Sequence, residues 1–157
     1  MQYPGYNTGI VHLQEGESYP FIVHNLVQLQ DGEDYYVLTD INGMKHFMPS
    51  GYYVDYGFKI GDAITCKIDR INCTGRIFLE PTHPYYKEGK IFSFELENFK
   101  IQDNNITLFV KGLNGNSIEV PVYDIDINKL TTKKKVSCKV QNIKKGNLLL
   151  EFYNLGT

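Results

Sequence analysis

Residues 34–48, DYYVLTDINGMKHFM, carry the clearest structural pattern in this chain. Apolar and polar residues alternate on both sides of Asn42-Gly43, which is the period of a strand with one buried face. An Asn-Gly pair between two such runs predicts a two-residue hairpin in which both residues have positive φ. The segment therefore predicts two antiparallel strands, at 34–41 and 44–48.

The flanking sequence predicts three more strands around this hairpin. Residues 19–24 alternate before it, residues 64–68 alternate after it, and residues 76–80 follow a Thr74-Gly75 turn. No segment keeps the 3.6-residue period of a long helix, so the connection at 52–58 has room for one short helical turn. A three-stranded meander, a longer connection and a closing hairpin are the strand order of the OB-fold, a five-stranded Greek-key barrel.

The whole pattern occurs twice along the chain. At an offset of 72, Asn42-Gly43 falls on Asn114-Gly115 and Cys66 falls on Cys138. The sequence therefore predicts an all-β chain of two tandem five-stranded OB-like Greek-key barrels, at 1–82 and 83–157. Residues 8–14 resemble the closing strand at 74–80, which leaves two interpretations open: the last strand of a preceding module in a longer protein, or a short N-terminal strand added to the first barrel.

Residues 58–79 also resemble a known family. The runs FKIGD, ITCKI and GRIFL are similar to the last third of the S-one-type RNA-binding domain, where a glycine and an acidic residue open the fourth strand. Gly61-Asp62 stands at that place in the first copy, whereas the second copy has Lys133-Lys134-Lys135 there. The resemblance implies an OB-fold and an RNA ligand.

Composition limits the class of protein. The chain has 157 residues, 42% of them hydrophobic and 22% charged, which is typical of a globular protein. No run approaches the roughly 20 apolar residues of a membrane helix, and the first residues lack a secretion signal. Three cysteines without a CxxC spacing predict neither a disulfide framework nor a zinc site. We expect a cytoplasmic protein that does not contact a membrane.

Charge is distributed unevenly between the two halves. Residues 1–82 hold five basic and ten acidic side chains, whereas residues 83–157 hold eleven basic and eight acidic ones. The total of −2 lacks the basic excess of a strong nucleic-acid binder. The second half, at +3, is the better candidate for contact with phosphate.

Candidate binding residues lie on the second and third predicted strands of each copy, because OB barrels bind ligands along that face. Alternation places Tyr36, Leu38, His46 and Met48 in the core, so their neighbours point outward. The outward set is Tyr35, Val37, Lys45 and Phe47 in the first copy, and Thr107, Phe109, Lys111, Ser117 and Glu119 in the second. Exposed aromatic rings can stack on bases, although the same rings could pack between the two barrels.

A lysine cluster supplies the remaining candidates. It consists of Lys133, Lys134 and Lys135, with Lys139 pointing outward beside Ser137 and Gln141, and with Lys144 and Lys145 near them. Such a cluster either contacts phosphate or forms a solvated turn. A second cluster, of Tyr52, Tyr53, Tyr56 and Phe58, either caps the first barrel or contacts a partner, and capping is the commoner role.

The sequence predicts no catalytic, cofactor or metal site. Cys66 and Cys138 hold equivalent inward positions, and Cys73 lies in a turn with His83 ten residues on, but no readable spacing supplies an oxyanion hole. The four histidines lack metal-ligand spacing. The leading hypothesis is a non-enzymatic module that binds single-stranded nucleic acid, RNA before DNA, by stacking on Tyr35 and Phe47. The alternative is a protein-interaction or scaffolding module within a longer protein.

Overall fold

The chain divides into two compact units, Met1–Pro84 and Tyr85–Thr157. A computed structural model describes residues 9–155. Each unit contains one five-stranded antiparallel sheet and one hydrophobic core. Nothing among the helices of residues 9–155 has the length and apolarity needed to span a membrane. The prediction of an all-β chain with two OB-like barrels is confirmed.

The first unit has its strands in the order β3-β2-β1-β4-β5. The strands are β1 (Ser18–Gln28), β2 (Asp34–Thr39), β3 (Lys45–Pro49), β4 (Ala63–Ile71) and β5 (Ile77–Pro81). Neighbouring strands pair antiparallel, and the two outermost strands, β3 and β5, approach each other. This is the strand order of an OB barrel that is nearly closed.

The second unit repeats this arrangement, in the order β10-β9-β6-β7-β8. Its strands are β6 (Ile91–Gln102), β7 (Asn105–Lys111), β8 (Ser117–Val122), β9 (Lys135–Lys144) and β10 (Asn147–Asn154), with the single-turn helix α1 (Ile127–Leu130) before β9. Asp126 caps α1 by accepting a hydrogen bond from the amide of Asn128. Leu130 at the end of α1 is buried in the second core.

The inward faces of the strands form the two cores, as the alternation predicts. Leu38 and Met48 are fully buried in the first core, with Tyr36 packed against it, and Cys66 and Cys138 are each 0% exposed. Burial raises the pKa of both thiols to about 12, so they stay neutral and behave as small apolar side chains.

A β-bulge bends the first strand of each unit at the same place. The pairing shifts after Val23 in β1 and after Leu96 in β6. In each case an asparagine follows the bulge, Asn25 or Asn98, and its Oδ1 accepts the amide of the next residue at 2.9 or 2.8 Å. Bulges increase strand twist, which allows one long strand to pair on both sides of a curled sheet.

The β2–β3 hairpin differs from its predicted form. Asp40 pairs with Met44 through a backbone hydrogen bond, which leaves a three-residue loop instead of two. Gly43 alone in this loop has positive φ, at 83°, whereas Asn42 does not. This is a three-residue hairpin with glycine at the left-handed position, and the prediction of positive φ at Asn42 was wrong.

The prediction of an N-terminal strand at residues 8–14 is also wrong for the residues that the structure describes. Thr8 lies outside the described residues. Residues 10–14 form no strand. Instead the side-chain amide of Asn42 accepts from the Val11 N–H at 2.9 Å and donates to the Val11 carbonyl at 2.7 Å. Leu13 packs against the first core. A side chain therefore holds this segment where a strand partner was expected.

The aromatic cluster after β3 caps the first barrel. A 3₁₀ helix at Gly51–Tyr56 places Tyr53 at 2% exposure, and the Tyr53 hydroxyl donates to Oε1 of buried Glu80 at 3.1 Å. Tyr56 and Phe58 pack against the core, while Tyr52 is half exposed. Capping, the commoner of the two predicted roles, is therefore found for three of the four rings.

Candidate nucleic-acid interface

Tyr35 on β2 and Phe47 on β3 form an aromatic pair on the outer face of the first unit. Their ring centroids are 6.1 Å apart at 74°, an edge-to-face contact. Phe47 is 47% exposed, and Tyr35 is half-buried. Val37 lies on the same face but is buried, between Asn25 and Phe47 in neighbouring strands. It was expected to be accessible, and its central position in the sheet removes it from solvent.

An acidic turn residue holds Tyr35 in place. The Tyr35 hydroxyl donates to Oδ2 of Asp31 at 2.8 Å, and Oδ1 of Asp31 accepts the Glu33 amide at 2.8 Å. The hydrogen bond from the Glu33 amide lowers the pKa of Asp31, and the hydrogen bond from the Tyr35 hydroxyl lowers it further. The hydroxyl bond to Asp31 in turn raises the pKa of Tyr35. The tyrosine hydroxyl is therefore committed to Asp31, which leaves the ring of Phe47 as the more accessible stacking surface.

Lys45 lies on the same face, two residues before Phe47 on β3, and is exposed. It pairs across the sheet with Thr39 of β2. The three residues predicted from the first copy thus share one surface, with two rings and one ammonium group.

The β4–β5 hairpin adds three residues that the sequence analysis missed. The guanidinium carbons of Arg70 and Arg76 lie 4.4 Å and 4.9 Å from the ring centroid of Phe78. Each contact is a cation–π interaction, and together they place two permanent positive charges at one ring. For two of the three residues a signal was present in the sequence, because Arg76 and Phe78 alternate with Ile77 and Leu79 and therefore share one face of a strand.

The turn between β4 and β5 fixes the position of Arg76. Oδ1 of Asn72 accepts from the Thr74 amide, the Thr74 hydroxyl and the Arg76 amide, at 3.1, 2.7 and 2.8 Å. Gly75 supplies the positive φ of this turn, at 86°. The hydrogen bond to Asp31 raises the pKa of Tyr35, and the positive charge of Arg76 acts in the opposite direction with a smaller effect.

The second unit has a more polar version of the β2–β3 face. Phe109 is half-buried and pairs with Glu119, and Lys111 is exposed and pairs with Ser117. Glu95 on β6 is the register partner of both Lys111 on β7 and Lys135 on β9. Carboxylates therefore lie beside Phe109 and Lys111, which weakens this face as an anion site, and Glu95 lies beside Lys135 as well.

The predicted lysine cluster separates into two parts. Lys133, Lys134 and Lys135 line one open groove, in which Lys133 is half-buried and the other two are exposed. Lys139 points outward as predicted, but it pairs with Ile91 and Glu151, whose Oε2 accepts a hydrogen bond from Gln141 at 2.6 Å. The three consecutive lysines are thus grouped, and Lys139 lies in a separate row beside an acid.

No arrangement for catalysis or metal binding stands out among residues 9–155. Cys73 is exposed, Cys66 and Cys138 are buried, and all three are free thiols. His83 contacts the ring of Tyr56 at 5.4 Å between centroids, and burial lowers the pKa of His83. Within that range no three His, Cys, Asp or Glu side chains are grouped to hold a metal ion.

Comparison with known proteins gives matches among solved structures only. The chain is similar to p202 HIN1 in complex with a 12-mer dsDNA, with 14% identity over 89% of this chain and 90% of that one and a TM-score of 0.31. It is also similar to the tetrameric p202 HIN2, with 9% identity over 88% and 89% and a TM-score of 0.29. No family model and no curated protein matches. The S-one-type resemblance is thus not confirmed, and the OB-like fold rests on strand order.

Proposed function

We propose that this chain is a non-enzymatic cytoplasmic module that binds single-stranded nucleic acid through the outer face of its first unit. One observation carries the proposal: Phe47 and Tyr35 form an edge-to-face pair on a face that also carries the exposed Lys45, and a further ring of the same unit, Phe78, contacts the guanidinium groups of Arg70 and Arg76. Aromatic rings stack on bases without sequence preference, and cations beside them draw phosphates. A single strand fits this surface because its bases are unpaired.

Each element of the surface has a separate role in the proposal. Phe47 offers the stacking face, and Tyr35 is fixed by Asp31 as its support. Lys45, on the same face as the two rings, and Arg76, which contacts the ring of Phe78, are assigned to the phosphates of the nucleic-acid strand. The second unit has candidate contacts of its own, with the phosphate contacts concentrated on the three lysines of one groove; they are Phe109, Lys111, Lys133, Lys134, Lys135 and Lys139.

The test is a fluorescence anisotropy titration of labelled oligo-U, oligo-dT and a mixed duplex with the full chain. Repeating it at about 50 and 200 mM salt separates electrostatic from stacking contributions. We expect oligo-U to bind more tightly than oligo-dT, and both more tightly than duplex. The preference for RNA is supported by the sequence resemblance alone. If oligo-dT binds as tightly as oligo-U, the preference for RNA is refuted and the binding of single strands remains. Absence of single-strand binding at low salt refutes the proposal.

A protein-interaction or scaffolding module, as part of a longer protein, is the second candidate, and one observation favours it. Ile10, Val11, Ile41 and Met44 are between 41% and 65% exposed. Asn42 brings Val11 to the β2–β3 loop, so these apolar side chains collect at one end of the first unit. If no oligonucleotide binds at about 50 mM salt, where electrostatic attraction is strong, this candidate replaces the first.

A further inference from the structure

The second unit contains an open groove of about 740 Å³ next to the turn that follows α1. The groove lies over β6, β9 and β10 on the side away from the core, because Ser93 and Ser137 alternate with the buried Phe94, Val136 and Cys138. The face predicted to bind ligands in this unit lies on β7 and β8. The groove therefore lies on other strands than the Phe109 face, and Glu95 separates Lys135 of the groove from Lys111 of that face.

The floor of the groove combines a row of hydrogen-bonding side chains with two apolar residues, Val136 and Leu155. Ser93 on β6 pairs with Ser137 on β9, and Ser137 pairs with Asn154 on β10. Side chains at the same register of adjacent strands lie about 5 Å apart, so the two hydroxyl groups and the amide form a continuous polar strip. Thr132 also lines the groove.

The wall of the groove is the run of Lys133, Lys134 and Lys135. Its backbone is held at two residues, because the Lys133 amide donates to the Leu130 carbonyl at 3.1 Å and the Lys134 carbonyl accepts the Leu96 amide at 2.7 Å. Leu130 is 1% exposed, so the run is attached to the core. Glu95 is the register partner of Lys135, but none of the described lining residues is acidic.

We infer that this groove is a phosphate-binding site, recognised by three ammonium groups on its wall and by hydroxyl and amide donors on its floor. Charge-assisted hydrogen bonds from several donors favour an anion with several oxygens. Phosphodiester groups of a nucleic-acid strand and a free polyphosphate present the same chemistry. The inference deepens the proposed function, and it rests on that function only for the strand as the source of phosphate.

The test uses the full chain with two probes, tripolyphosphate by isothermal titration calorimetry and labelled oligo-U by anisotropy. The groove variant replaces Lys133, Lys134 and Lys135 with Gln. The matched control replaces Lys87, Lys90 and Lys100 with Gln, which removes the same charge from the same unit outside the groove lining. We expect tripolyphosphate affinity to fall about tenfold or more in the groove variant and about twofold or less in the control.

A neutral substitution separates a built site from general attraction. Ser137→Ala removes one floor hydroxyl without a change in charge, and we expect about a threefold loss of tripolyphosphate affinity. Thermal unfolding of each variant, followed by circular dichroism, verifies that the second unit remains folded.

The outcomes are distinct. Loss of both tripolyphosphate and oligo-U affinity in the groove variant supports the inference with the nucleic-acid backbone as the source, and loss of tripolyphosphate alone supports it with a free polyphosphate as the source. Equal losses in the groove and control variants overturn it, and so does the absence of tripolyphosphate binding by the unaltered chain. The proposed function fails separately, if Phe47→Ala leaves oligo-U affinity unchanged.

Discussion

The Nε2 atom of His46 lies 2.7 Å from Oδ2 of Asp40, across the β2–β3 hairpin. Because a carboxylate only accepts, Nε2–H is the donor. Oδ1 of the same carboxylate accepts the backbone amides of Asn42 and Met44 at 2.8 and 3.0 Å. The Asp40 carboxylate thus holds the loop that leads into β3, the strand that carries Lys45 and Phe47. Gly112 and Ile118 stand at the equivalent positions of the second unit, which lacks these side chains.

Stability should depend on the ionisation of Asp40. Burial opposes its charge, but hydrogen bonds from His46, Met44 and Asn42 outweigh burial and lower the pKa of Asp40 below 3.8. A carboxyl with a lowered pKa in the folded state stabilises the fold above its unfolded pKa, and this contribution is lost as the pH falls through the folded pKa. We expect Asp40→Asn to lower the free energy of unfolding at pH 7 by about 1–3 kcal/mol.

The measurement is urea unfolding of the unaltered protein and of Asp40→Asn at about pH 7 and pH 2.5. The difference between their free energies of unfolding should be smaller at pH 2.5. Asp55→Asn, at an exposed position of the 3₁₀ helix, is the control and should have little effect at either pH. An equal difference in free energy of unfolding at the two pH values would contradict the ionisation of Asp40 as the cause of that difference.

Phe47→Ala should weaken binding of oligo-U. Loss of one stacking ring costs about 1–3 kcal/mol, which corresponds to about 5-fold to 150-fold in affinity. Anisotropy titration measures the change, with Tyr123→Ala as the control, because Tyr123 is 76% exposed in the second unit and lies off the proposed surface. Equal losses in the two variants would show that ring exposure, not position, determines binding.

Arg76→Gln should reduce the salt dependence of binding. If Arg76 contacts one phosphate of a single strand, its loss lowers the slope of log K against log salt by about 0.7. Titration of oligo-U at four salt concentrations gives the slope. Lys59→Gln removes an exposed charge of the same unit and should leave the slope unchanged. An unaltered slope for Arg76→Gln would remove this residue from the interface.

One thiol of the native protein should react quickly with Ellman's reagent. Cys73 is exposed, whereas Cys66 and Cys138 are buried, and burial raises the pKa of both to about 12. Thiolate is the reacting species, so we expect one equivalent of released chromophore at pH 8 and three in denaturant. Cys73→Ser should abolish the fast reaction, and a second fast thiol would contradict the packing of the cores.

Local sequence signals account for the two-copy plan and for most strands. Alternation predicted the inward positions of Leu38, Met48, Cys66 and Cys138, because a strand's side chains point to opposite faces with a period of two. The same rule placed Tyr35, Lys45 and Phe47 on one surface. A different argument, the resemblance of residues 8–14 to the closing strand, gave a wrong prediction. Residues 10–14 form no strand, because a similar sequence does not provide a strand to pair with.

The grouping of charges required the three-dimensional arrangement. Arg70 and Arg76 meet at Phe78 because β4 and β5 pair with a register shift between Ile68 and Arg70, which no local pattern predicts. Likewise, Glu95 comes between Lys111 and Lys135, and Ser93 joins Ser137 and Asn154, through pairing of strands far apart in the chain. Strand identity follows from neighbours along the backbone, whereas the composition of a surface depends on register between distant segments.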